Sequence, residues 1–230
     1  MKRFILSFII FYYVFCTAQQ NVETFMIQNA NDYITSKYQT YDIVILGESH
    51  WIKDEVNFLK HNIPLLYNAG VRCFAFEFLA FTAQDNIDKL INSDKFSKSL
   101  RDSIISETSI WFIIEYMDIL YVLWKLNKSN EEKIKVLGLN YPEKFQITID
   151  RDSTMAKNII KHYTETNEKM LIYCGANHGF TKFKMCNSDG DFMRMGNIVY
   201  EQFPDKVTNI RFFPLRQTVL ILLANLTEPQ

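Results

Sequence analysis

The chain has little of several things that would announce a chemistry outright. It carries four cysteines, at positions 16, 73, 174 and 186, and none stands in a CxxC pair. That spacing gives no sign of a thiolate zinc site or a disulfide framework. Cys73 and Cys174 lie inside apolar runs and are expected to be small buried hydrophobes. Glycine and proline are sparse, at seven and five of 230 residues. No Pro-rich linker, low-complexity tract or internal repeat interrupts the chain, which speaks against solenoid and multi-domain organisation. A formal charge of −1 leaves no dense basic stripe, so nucleic acid is not an expected partner.

No apolar run reaches the roughly 20 residues that span a bilayer. The run at the N-terminus is shorter: Lys2 and Arg3 precede Phe4 to Phe15, and small residues follow. This is the pattern of an export signal, read here as residues 1–18 with cleavage after Ala18. A lipoprotein signal is disfavoured because Phe15, just before Cys16, is too bulky. Residues 19–230 then form one domain with a sizeable core. The expected location is the periplasm or cell envelope, with membrane contact only through the signal segment if it stays uncleaved.

Six short β-branched and aromatic runs read as strands: Asp42 to Gly47, Val71 to Phe78, Ile134 to Asn140, Met170 to Gly175, Val207 to Phe213 and Thr218 to Leu223. The first four are nearly continuous in apolar character, as a parallel sheet covered on both faces requires. The last two predict a hairpin, since Pro214 to Gln217 leaves room only for a tight connection. Helical spacing marks Val22 to Tyr38, Asp54 to Asn68, Ala83 to Ile91, Ser109 to Asn127 and Arg151 to Tyr163. Gly70 stops the second of these, and Asp150 or Asp152 can cap the fifth. The polar stretch from Phe81 to Thr108 reads as a helical insertion over the sheet that could act as a lid. The predicted class is α/β, a mostly parallel central sheet flanked by helices with a C-terminal hairpin.

In such sheets the ligand sits outside the carboxyl ends of the strands. The first strand runs into Gly47-Glu48-Ser49-His50, the second ends at Glu77, the third at Asn140, and the fourth runs into Gly175-Ala176-Asn177-His178. Two G-x-x-H copies at separate strand exits are more informative than either alone. Glu77, inside an apolar run, needs a hydrogen-bonded or cationic partner, because burying an unpaired carboxylate costs several kcal/mol. The imidazoles can act as general base, metal ligand or axial haem ligand. Trp111, Glu115 and Asp118 fall on one face of the long helix, as a substrate-facing group or as a solvated stripe. Arg151 can pair with Glu77, clamp an anionic ligand or lie on the surface. His61 and His162, within helices, are expected to be surface or packing residues.

Taken together, Leu46-Gly47-Glu48-Ser49-His50, Phe74-Ala75-Phe76-Glu77, Trp111 with Glu115, Gly138-Leu139-Asn140, Arg151 to Asn158 and Gly175-Ala176-Asn177-His178 resemble the erythromycin esterase-like, ChaN-like haem-binding and Tiki/TraB superfamily. The likeness to the erythromycin esterase branch implies His50 as the water-activating base. Glu48 and Glu77 would then be orienting carboxylates, His178 a second polar contact and Arg151 a further site residue. The Tiki/TraB branch implies His50, His178 and Glu77 as ligands of a divalent metal, and the ChaN-like branch implies haem. The chain is short for a full erythromycin esterase. The expectation is therefore a hydrolase of a small-molecule or peptide ester or amide, with Arg151, Glu115, Trp111 and Asn140 as substrate contacts. Haem binding and metal-dependent hydrolysis stand as the alternatives.

Overall fold

The computed structural model describes residues 29–107, 114–141, 150–187, 190–215 and 218–222. Among the described residues, five parallel strands and one antiparallel edge strand form the central sheet, flanked by seven helices. In chain order the strands are β1 (Ile43–Glu48), β2 (Val71–Ala80), β3 (Lys135–Asn140), β4 (Lys169–Gly175), β5 (Met185–Asn187), β6 (Gly190–Phe192), β7 (Val207–Leu215) and β8 (Thr218–Leu222). The helices are α1 (Ala30–Ser36), α2 (Lys53–Asn68), α3 (Gln84–Ile91), α4 (Lys98–Glu107), α5 (Ile114–Ser129), α6 (Arg151–Thr166) and α7 (Met195–Gln202). The main sheet has the order β3-β2-β4-β1-β7-β8, while β5 and β6 form a separate antiparallel pair. The expected α/β class and C-terminal hairpin are both present; Pro214 belongs to strand β7 rather than to the connection.

Alternation along each central strand divides its side chains between two cores, because successive residues point to opposite faces. Val44 and Leu46 of β1, Phe74 and Phe76 of β2, and Leu171 and Tyr173 of β4 pack against α1, α2, α3 and α5. Ile43 and Ile45, Cys73 and Ala75, and Met170 and Ile172 pack on the other side against Met155, Ala156 and Ile159 of α6 and Met195 and Val199 of α7. Both faces are buried, which is why these strands read as unbroken apolar runs rather than as alternating ones.

Helix ends follow local chemistry. Asp150 caps α6 by accepting from the Ser153 N–H at 3.3 Å, so Asp152 is left for another task. Gly70, with φ 95°, closes α2 in the left-handed region that a residue bearing Cβ resists. The polar insertion holds α3 and α4, of which only α3 is separately legible from its spacing. Helix α7 also went unanticipated. The signal segment, Trp111 and the start of the long helix lie outside the described residues.

Candidate functional site

The carboxyl ends of β1, β2 and β4 converge on one cluster, and strand parity decides which side each acid faces. Glu48 continues the parity of Val44 and Leu46, so it turns toward α5. There the hydroxyl of Tyr116 lies 2.6 and 2.7 Å from its two oxygens. Glu77 continues the parity of Cys73 and Ala75 and turns toward α6, where Arg151 Nη2 donates to its Oε1. The other Glu77 oxygen, Oε2, accepts the Gly175 N–H at 2.6 Å. Both acids are buried, so these donors replace the water that each lost. Glu77 thus has the partner that its apolar surroundings required.

His50 leaves β1 and folds back over the end of β4. Its Nδ1 donates to Glu48 Oε1 at 2.9 Å. A Cβ at Gly175 would stand 2.6 Å from His50 Cε1 and 2.7 Å from Nε2, so the ring occupies the space that this glycine leaves open. The hydrogen bond to Glu48 raises the His50 pKa above the ordinary imidazole value, against partial desolvation, and the Glu77 charge adds to the rise.

His178 sits in a short 3-10 turn, Ala176–Gly179, directly after β4. Its Nδ1 lies 2.6 Å from Asp152 Oδ1 and its Nε2 3.4 Å from Glu77 Oε1. Asp152 also receives the Met195 N–H at 2.7 Å and Arg194 Nη1 at 3.0 Å. Burial pushes the Asp152 carboxyl up, but His178, the Met195 amide and Arg194 together outweigh it and hold the group below its ordinary range. Arg151 completes the chain of contacts by donating from Nε to Asn140 Oδ1 at 3.0 Å.

Of the residues expected at the site, Glu48, His50, Glu77, Asn140, Arg151 and His178 come together. Glu115 does not join them: it pairs with Lys53 at 3.3 Å, and Asp118 pairs with Lys60 at 3.6 Å, so this stripe is solvated. Its neighbour Tyr116 is the residue of α5 that reaches the cluster. Asp152, Arg194 and Tyr116 went unrecognised as site residues, because their partners lie on elements far away in the chain. Glu55 was also missed. It accepts the Ser49 N–H at 2.7 Å, and burial raises its carboxyl to about 7. Cys73 and Cys174 are buried thiols, as expected, and desolvation pushes both pKa values up.

Two clefts open on this cluster and share His178 and Arg194. The smaller, about 370 Å³, is bordered by Glu48, His50, His178, Arg194 and Arg211. The larger, about 790 Å³, has Phe192, Met193 and Ile198 beside Arg151 and Asp152. Trp51 stands next to His50, 68% exposed and with φ 69°, a left-handed conformation that costs a non-glycine residue about 1 kcal/mol or more.

A divalent metal held by His50, His178 and Glu77 does not fit these contacts. Both Glu77 oxygens and both His178 ring nitrogens face protein partners. Among the described residues no group of three or more His, Cys, Asp and Glu is arranged to hold a metal ion.

No protein-family model and no curated protein matches the chain. Solved structures do. RRSP, a MARTX toxin effector domain from Vibrio vulnificus, aligns with TM-score 0.57 and 13% identity over 84% of this chain and 37% of its own. The C-terminal region of Pasteurella multocida toxin, described as having a thiol-protease-like catalytic triad, aligns with TM-score 0.56 and 11% identity over 85% of this chain and 26% of its own. ChaN of Campylobacter jejuni, described with cofacially bound haem, aligns with TM-score 0.54 and 16% identity over 80% of this chain and 86% of its own. The chain thus spans well under half of either toxin structure and most of ChaN. At these identities the likeness shows a shared α/β fold, and it meets the expected resemblance to the ChaN-like branch at that level.

Proposed function

We propose that this chain is a hydrolase in which His50 activates water for attack on an ester or amide carbonyl. The observation that carries the reading is the Glu48–His50 pair, with Glu48 itself held by Tyr116. Donation from Nδ1 to Glu48 sets the tautomer, so the neutral ring presents Nε2 as the base. Nε2 takes a proton from water while the oxygen forms a bond to the carbonyl carbon. The imidazolium, stabilised by Glu48, then returns that proton to the departing alkoxide or amine. The likeness of Gly47-Glu48-Ser49-His50 to the erythromycin esterase branch supports the same role. Cys73 and Cys174 do not offer the nucleophile of a thiol-protease-like triad, because both are buried and their thiols are pushed up.

A second reading, haem binding, is favoured by the match along most of ChaN and by the apolar side of the larger cleft. It is weakened by His178, whose ring nitrogens both face carboxylates. An ester and amide panel, run beside absorbance after haem addition, separates the two. Hydrolysis that falls at least about 100-fold in His50→Ala supports the base role. A histidine-dependent Soret band without turnover overturns it in favour of haem. We place the protein outside the cytoplasm on the strength of its N-terminal signal pattern; the N-terminal sequence of the secreted protein, expected to begin after Ala18, checks this.

A further inference from the structure

The formal charges around a neutral His50 balance, three carboxylates against three guanidinium groups, but they are not paired one to one, and the unpaired cation identifies what the substrate carries. Glu48, Glu77 and Asp152 face the site, and each is already met by at least two donors; Glu55 beside them accepts the Ser49 N–H. Glu48 meets His50 and Tyr116. Glu77 meets Arg151 and the Gly175 N–H. Asp152 meets His178, Arg194 and the Met195 N–H. None is left over to attract a cation.

Two guanidinium groups on the smaller cleft are not matched in this way. Arg194 directs Nη1 to Asp152 and Nε to the Asn177 carbonyl, and its Nη2 has no protein acceptor among the described residues. Arg211, on β7 level with Gly47 of β1, has no acidic partner among the described residues, although it borders the same cleft as His50. A guanidinium offers a planar fork suited to carboxylate or phosphate oxygens and keeps its charge at any relevant pH. The two groups come from separate elements, the turn before α7 and strand β7, so a ligand held between them is fixed in orientation as well as attracted.

We propose that Arg211, with the outer edge of Arg194, forms an oxyanion subsite beside His50, and that the substrate carries a carboxylate or phosphate group near the bond under attack. This rests on the hydrolase reading for the word substrate, but the subsite itself is tested without turnover. Calorimetry of the purified protein at low ionic strength would use succinate and inorganic phosphate as probes, with Arg211→Gln, Arg211→Lys and His50→Ala variants. We expect one or both anions to bind, at least about tenfold more weakly to Arg211→Gln. Arg211→Lys should keep part of the affinity and His50→Ala most of it, with unchanged far-UV circular dichroism throughout. Succinate alone would name a carboxylate, and phosphate alone a phosphate ester. Binding of neither anion, or binding to Arg211→Gln as to the parent chain, overturns the subsite. Anion binding that depends on Arg211 while no ester or amide is cleaved would keep the subsite and sink only the hydrolase reading.

Discussion

His50 must be neutral to take a proton, and its bond to Glu48 favours the charged ring. The two facts fix the sign of the pH dependence. kcat/KM should rise with pH through a value above the ordinary imidazole pKa and then level off. Glu48→Gln, which removes the charge but keeps an acceptor, should move that inflection to lower pH and reduce the plateau roughly 10- to 100-fold. An inflection that stays in place in this variant would separate Glu48 from the base. Glu55 is raised too, for a different reason, since burial disfavours its charged form. Burial raises its carboxyl to about 7, so the folded state holds the proton more tightly than the unfolded chain does. The stability this confers is complete below the ordinary glutamate range and is lost as pH rises through about 7. Glu55→Gln should therefore melt higher than the parent at pH ~8, by about 1–3 kcal/mol in stability, and equally at pH ~4.

At the level of elements, two glycines on β3 and β4, the strands either side of β2, predict contrasting outcomes. A Cβ at Gly138 of β3 would lie 2.4 Å from the Ala80 carbonyl oxygen of β2, a backbone atom that cannot swing aside. Gly138→Ala should cost about 1–3 kcal/mol or more in urea denaturation by forcing β2 and β3 apart. At Gly175 the obstacle is the His50 ring, the end of a side chain that can rotate away. Gly175→Ala should fold with a smaller loss of stability but lower hydrolysis by roughly 100-fold, since a displacement of about 1 Å is enough to misplace a base. Equal losses of stability in the two variants would contradict this assignment of space to His50.

Over the whole molecule, the shifted groups set opposing limits on stability. Asp42 and Asp152 are depressed: in each, burial pushes the carboxyl up but hydrogen bonds and cations outweigh it. Their contribution is present above the ordinary carboxylate range and lost as pH falls through their lowered values. His50 and Glu55 are raised, and their contribution is lost as pH rises. Thermal melting should peak at mildly acid pH, near the ordinary glutamate range, and decline toward pH ~8. A melting temperature that climbs steadily from pH ~5 to ~8 would show that other groups dominate.

The architecture was legible in the sequence because burial on both faces of a parallel sheet leaves a local signature: unbroken apolar runs, separated by helical spacing and ended by glycines. The same runs pointed to Glu48, His50, Glu77, Asn140 and His178, since a polar residue just past a buried strand must lie at the sheet edge. Arg151 followed as a candidate partner for Glu77. Helix α7 has too short and weak a period to stand out, and the acidic stripe on α5 could be read toward either the site or solvent. Side-chain chemistry at strand ends is therefore written in the chain itself. Which partners meet that chemistry is not: Tyr116, Asp152, Arg194 and Arg211 come from elements far apart in sequence, and only the strand order and the parity of each strand bring them to Glu48, His178 and the clefts beside them. Pairing across a sheet is a long-range event decided by packing, so the tertiary structure alone could match these acids and leave Arg211 without an acidic partner among the described residues.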